Sequence, residues 1–237
     1  MNILSLFVII PILTIIGILM TKDFKGARVV SAIGMGAQLI TAIVLVFWYL
    51  ALRKAGDTSV MLFTDDFLWF KSLNIHYAIG VDGISVAMIA LTGVVTFAGV
   101  FASWEVQNLS REFFISLIVL AMGVFGFFIC LDLFTMFLFY EIAVIPMYLL
   151  IGLWGSGPKE YSAMKLTLML MAGSALIMVG LLGLYFNSAP DGGQLTWNIM
   201  EISKVKIPLD KQLFLFPFTF VGFGVLGALF PFHTWSP

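Results

Sequence analysis

The strongest constraint in this chain is the run from Asp132 to Trp154, DLFTMFLFYEIAVIPMYLLIGLW, which is long enough to cross a membrane yet carries an acid near its centre. About 20 apolar residues at ~1.5 Å each suffice to span a bilayer core. Glu141 lies ~13 to 20 Å along the axis from the two ends at helical rise. So short a side chain cannot reach either interface from there. A carboxyl at that depth costs about 2.5–3.5 kcal/mol even on lenient insertion scales. Pro146, five positions later, frees the carbonyl of Ile142 beside the acid. Two readings compete: a neutral glutamate hydrogen-bonded between helices, or a relay for protons or ions. The second is the default for an ionisable group held at depth.

The remaining sequence places the chain in the membrane class. It is 61% hydrophobic and 11% charged, where a soluble domain averages about 25% charged residues. Apolar runs cover Ile3–Met20, Ala27–Leu52, Ile84–Trp104, Phe113–Cys130, Leu133–Trp154 and Ala163–Phe186, and a last one starts near Leu213. None alternates like a membrane barrel strand, so the expected fold is an all-α polytopic membrane protein. A net charge of −1 offers no basic footprint for nucleic acid. Cys130 is the single cysteine, which excludes an intrachain disulfide and a thiolate metal site. His76 and His233 show no metal-ligand spacing. Gly222–Gly227 fits G-x-G-x-x-G, but no strand precedes it and no acid follows at the ribose distance, so it reads as a packing element. No basic segment precedes the run at Ile3, so no cleavable signal is expected.

The loops set an orientation and hint at a path. Lys22, Lys25 and Arg28 follow the first run, which puts that loop in the cytoplasm and the N-terminus outside. The segment from Arg53 to Gly83 is too polar to span, with Trp69, Phe70 and Tyr77 suited to a membrane interface and Asp82 suited to cap the next helix. SAPDGGQ, after the sixth run, reads as a turn. Lys165 enters the sixth run within snorkelling distance of its end and serves either that role or a water-filled path. It differs from Glu141 in depth by something like 10 Å, so direct pairing is not expected. Ala172–Ala175 supplies small residues for close packing, with Ser174 as an interhelical hydrogen bonder. The last stretch, FPFHTWSP, sets Pro231, Pro237 and His233 at bilayer depth. It predicts a broken helix, tolerated only where protein or a water cavity satisfies the freed backbone. His233 either fills that break or exchanges protons there. The chain stops inside a span and reads as a fragment.

Four passages, GVDGISVAMIALT, FLFYEIAVIPMYLLIGLWG, YSAMKLTLMLMAGSA and LFPFHTWSP, occur in this order. Together they resemble the antiporter-like membrane subunits of bacterial NADH-quinone oxidoreductase (complex I), a family shared with the Mrp cation/proton antiporters. Among the sister chains they favour chain M, the counterpart of mitochondrial chain 4. The resemblance implies an antiporter-like fold with inverted five-helix repeats and a broken seventh helix, of which this chain would be an N-terminal fragment of about seven helices. Residues 1–110 would hold transmembrane helices 1–3 with their loops, and 111–237 most of the first repeat. It further implies a proton-translocation path through Glu141, Lys165, His233 and Asp132, driven by quinone reduction elsewhere. NADH, FMN, iron–sulfur clusters and quinone would belong to the assembled complex, with no cofactor or metal in this chain. The partners would be other membrane subunits, especially chains L and N, in the lipid of a bacterial inner membrane, with no nucleic acid.

One departure from the family pattern is Leu226, which occupies the place of the usual seventh-helix lysine. Glu141 would then lack the cation that normally faces it, leaving Lys165 or a later residue to take that role. Two alternatives remain open beside the proton-translocating subunit. One is an Mrp-type antiporter subunit without a redox partner, and the other a membrane scaffold with a degenerate channel.

Overall fold

The apolar runs of the sequence are helical, and among the described residues seven helices are long and apolar enough to cross a membrane. The computed structural model describes residues 2–21, 23–106, 108–189 and 192–235. Lys22 of the basic first loop, Pro190 and Asp191 of the expected turn, and Ser236 and Pro237 of the last motif lie outside the described residues. The elements in order are α1 (Leu6–Met20), α2 (Phe24–Lys54), β1 (Leu62–Phe70), β2 (Ile75–Val81), α3 (Gly83–Ala102), α4 (Ser110–Ile129), α5 (Leu133–Trp154), α6 (Lys159–Phe186), the single turn α7 (Ile199–Ile202) and α8 (Leu209–Leu226). A 3₁₀ turn, Phe232–Trp235, follows α8.

The strands are the departure from the expected all-helical pattern. The segment between α2 and α3 folds as a β-hairpin whose connection ends at Asn74 in the left-handed region, a conformation asparagine tolerates. Ile75, Tyr77, Ile79 and Val81 alternate at period two, the strand signature. β2 is largely buried, whereas β1 exposes Phe67, Trp69 and Phe70, the rings suited to an interface. Asp82 caps α3 as expected, accepting from the Ser85 amide at 2.7 Å.

The chain divides into two compact units, Met1–Asp65 with Ile79–Cys130 and Asp66–Ala78 with Leu131–Pro237. In the first, α1 to α4 pack on one another through Phe7, Ile118 and Phe125, all fully buried. Pro11 lies inside α1 and supplies no amide for the carbonyl of Phe7. Gln38, fully buried on α2, donates its side-chain amide to that carbonyl at 3.1 Å. Gly34 of α2 lies so close to Thr14 of α1 that a Cβ would collide with the threonine side chain.

In the second unit α6 packs between α5 and α8. The contact with α8 is glycine against glycine. A Cβ on Gly222 would stand 2.9 Å from the Gly173 carbonyl oxygen and 2.6 Å from Ile177 Cγ1. One on Gly173 would stand 3.0 Å from Val225. The G-x-G-x-x-G run is therefore a helix-packing surface, as small residues are in membranes. Ser174 departs from expectation: its hydroxyl bonds back to Met171 O within α6.

Asp132, only 1% exposed, ties this unit together at the start of α5. Its Oδ1 accepts from the Thr135 amide at 2.9 Å and its Oδ2 from the His76 amide at 3.0 Å. Thr135 Oγ1 donates to His76 O at 2.9 Å, and Leu131 N to Ala78 O at 2.8 Å. Leu133 N donates to Trp197 O and Ile199 N to Leu131 O, which pair this junction with the segment before α7. The hairpin connection is held from the far side by Tyr185 Oη and Trp197 Nε1, which both donate to Leu73 O.

Two outcomes are expected. Gly222→Val should cost about 1–3 kcal/mol through overpacking against Gly173 and Ile177, read as a lower apparent Tm in detergent. Asp132→Asn keeps the cap to Thr135 but turns an NH₂ toward the His76 amide. Leaving that amide without an acceptor costs roughly 1–3 kcal/mol, and amide exchange across residues 75–78 should accelerate by about tenfold or more.

Candidate functional site

Glu141 lies half-buried two turns into α5, among Phe139, Tyr140, Ala143 and Val144, which are buried. Its Oε1 is sealed from solvent and has no hydrogen-bond partner. No ion pair joins it to Lys165 or His233 among the described residues. Pro146 sits inside the same helix, and the Ile142 carbonyl it deprives lies one residue past the acid. A buried carboxyl oxygen without a donor, at mid-span and beside a loosened backbone, gains no hydrogen bond to offset its desolvation.

Lys165 is half-buried near the start of α6 and lines a cavity of about 320 Å³ with Lys159, Ser162, Gly155, Thr234 and Trp235. Lys159 itself donates to Leu153 O at 2.8 Å, at the C-terminal end of α5. Gly152 and Ala163 meet at the same level of α5 and α6. Counting from them, Lys165 and Glu141 are separated by about 13 Å along the axis at ~1.5 Å per residue. They do not pair directly.

The break after α8 joins the Lys165 end of the unit. α8 stops at Leu226, Ala228 adopts a left-handed conformation, and Phe232–Trp235 turns back. Trp235 Nε1 donates to Val225 O at 2.8 Å, and Leu229 N to Gly224 O at 2.8 Å, so protein donors satisfy the interrupted helix end. Thr234 and Trp235 thus reach the Lys165 cavity. His233 is exposed beside Phe230, their ring centroids 5.6 Å apart, and is not among the cavity residues. Leu226 is the last residue of α8, directly before the break.

Asp132 lies at the other end of α5, in a cavity of about 360 Å³. Burial pushes its carboxyl upward from the ordinary value, and the Thr135 and His76 amides partly offset that. Lining it are residues that sequence reasoning passed over: Asp66, Asn74 and His76 of the hairpin, Thr196 and Asn198 before α7, and Glu201 on α7. His76 Nδ1 contacts Asp66 Oδ1, and its Nε2 lies 3.0 Å from Asn74 Oδ1. The period-two alternation of β2 could have found this pairing, because a hairpin turning at Asn74 brings the strand segments on either side together. Among the described residues no three His, Cys, Asp or Glu side chains gather as a metal site.

The four candidates therefore occupy three levels: Asp132 at one end of α5, Glu141 in its middle, and Lys165 with the His233 break at the opposite end. Known proteins share the fold of this chain. Residues 130–237 match the family model described as "NADH:quinone oxidoreductase/Mrp antiporter, TM". The chain is 32% identical over 235 residues to the NAD(P)H-quinone oxidoreductase chain 4-2 of Synechocystis, covering 99% of this chain and 41% of that protein. It superposes on a chain of respiratory complex I from Thermus thermophilus with a TM-score of 0.78 at 19% identity, covering 98% of this chain and 45% of the other. A chain of the Mrp complex from a Dietzia species gives 0.75 at 19% identity, covering 98% and 42%. The chain spans about two fifths of the length of the curated relative it matches. It is an integral multi-pass membrane protein, and it belongs to the NADH:quinone oxidoreductase/Mrp antiporter family of transmembrane proteins.

Proposed function

We propose that this chain is part of a proton-translocating membrane subunit of an NADH-quinone oxidoreductase, of the chain M (chain 4) type. The observation that carries the reading is Glu141, a mid-span acid whose Oε1 is buried without a partner. An acid kept there at such cost is retained for what it does in transport. Protons would pass among Asp132, Glu141 and Lys165, with His233 at the helix break, and these groups stand at successive depths that suit a path across the bilayer. The names of the curated relatives support the quinone-linked reading. On this reading NADH, FMN, iron–sulfur clusters and quinone are held by other subunits, and this chain contributes acid–base groups and helix packing. Its neighbours in the complex would be the sister antiporter-like chains L and N, in a bacterial inner membrane. Residues 111–237 would form most of the first antiporter-like repeat, and 1–110 the helices before it.

A second reading, a cation/proton antiporter subunit without a redox partner, is favoured by one finding: the fold superposes on the Mrp complex nearly as well as on complex I. One experiment separates the readings. Glu141→Gln in the full-length subunit keeps shape and hydrogen-bonding capacity while removing the titrating proton. In inverted membrane vesicles NADH-driven acidification should collapse by on the order of 10²-fold, the scale of losing a positioned proton-transfer group, with the complex still assembled. Unchanged oxidation and acidification would leave a scaffold, with Leu226 marking a degenerate channel. Transport that proceeds without NADH would point to the antiporter.

A further inference from the structure

The cavity at the start of α5 contains a histidine whose two ring nitrogens both face acceptors. Nδ1 of His76 meets Asp66 Oδ1 and Nε2 meets Asn74 Oδ1 at 3.0 Å. The Asn74 amide is oriented by its other contact: Nδ2 donates to Leu195 O at 2.8 Å, which leaves the oxygen for the imidazole. A neutral imidazole has one N–H and one lone pair, so it can satisfy only one of these acceptors. The imidazolium satisfies both. The two acceptors match the two N–H groups of the imidazolium.

Its position gives that proton somewhere to go. The His76 side chain is 27% exposed and Asp66 53%, whereas Asp132 is 1% exposed. Asp132 presents almost no surface to bulk solvent whereas His76 does, and the two line the same cavity. The two residues are also mechanically joined, since Asp132 Oδ2 accepts the His76 amide and Thr135 donates to the His76 carbonyl. The charged groups that face the cavity are Asp66 from β1, Asp132 from the α5 cap and Glu201 from α7, and His76 is the only basic group lining it among the described residues. Three carboxylates around one imidazole favour the arrival of a cation. The polar lining and volume suit water bridging the imidazole and the buried acid.

We propose that His76 is the proton-exchange station at this mouth of the path, passing protons between bulk solvent and Asp132. In the inward step an N–H bond of the imidazolium breaks, the proton moves through cavity water, and an O–H bond forms on the Asp132 carboxylate. The ring is left neutral with one N–H and regains its second proton from solvent; the outward step is the reverse. This rests on the reading of Asp132 as part of a proton path, and it names the group through which that path meets solvent.

The test uses the full-length subunit in its own complex, in inverted vesicles, with protons moved per NADH oxidised measured from about pH 5 to 8, the interval across which histidine ordinarily changes charge. His76→Gln should lower that ratio by on the order of tenfold, less than the ~10² of a chemical-step acid or base, because cavity water still carries part of the traffic. It should also flatten the pH profile, and added imidazole should restore the ratio in part. A loss that imidazole does not rescue, with the pH profile keeping its shape, would mean that His76 only holds the hairpin, and would overturn the proposal. If His76→Gln does not assemble, Asp66→Asn decides: it keeps an oxygen for the ring but removes the charge, and should displace the pH profile. An unmoved profile would overturn the proposal. Glu141→Gln serves as the separate control. Pumping abolished by Glu141→Gln but indifferent to His76→Gln would sink this inference alone, whereas indifference to Glu141→Gln would sink the transport reading beneath it.

Discussion

A bilayer offers no water to backbone amides and carbonyls, and that absence shapes this chain more than any single contact. At two helix interruptions the protein supplies the missing partner. Pro11 deprives the Phe7 carbonyl, and Gln38 on the neighbouring helix donates to it. The end of α8 is broken at Gly227, and Trp235 returns to bond Val225 O. The buried Gln38 amide and the partly buried Trp235 Nε1 thus complete the backbone of a neighbouring segment. The same rule explains the glycines of α6 and α8. With lipid as apolar as any side chain, helices associate by close approach, and Gly173 against Gly222 permits it.

Two acids on α5 show how environment separates structural from chemical roles. Asp132 stands at the helix N-terminus, where the dipole favours a carboxylate, and each of its oxygens receives a backbone amide. It organises the hairpin, the α5 start and the segment before α7 into one unit, and it still borders a cavity of about 360 Å³. Glu141 has no such reward, because its Oε1 meets no donor. Desolvation without compensation is destabilising, so Glu141 adds nothing to the packing of α5 that its burial does not cost. The two therefore differ in kind: one is a hydrogen-bonded junction bordering a cavity, the other a mid-span acid with an unpartnered oxygen.

The spans were legible because their signal is local: a long apolar run in a bilayer has no alternative to helix. Asp82 as a cap and the break at FPFHTW were legible for the same reason, since proline and capping residues act within one turn. The hairpin was not, because its polar loop was judged by composition, while the evidence lay in the alternation of Ile75, Tyr77, Ile79 and Val81. Ser174 was misjudged because a serine in a helix can bond backward to its own turn, and only the packing decides. The glycine run Gly222–Gly227 was rightly set aside as a nucleotide motif, but its partner on α6 could not be named from sequence.

What the sequence determined by itself was the membrane class, the seven spans, the identity of the expensive acid and the place where the last helix breaks. Those follow from short-range physics: rise per residue, transfer cost and the geometry of proline. What only the tertiary structure decided was which polar groups share a space. His76 and Asp132 are distant in sequence, and nothing in their local context links them. They meet because the hairpin folds back onto the start of α5 and hydrogen bonds fix it there. Lys165 and the residues after Pro231 meet in the same way, across the antiparallel return of α6 and α8. Long-range proximity is a property of packing, and packing is written in no single stretch of the chain.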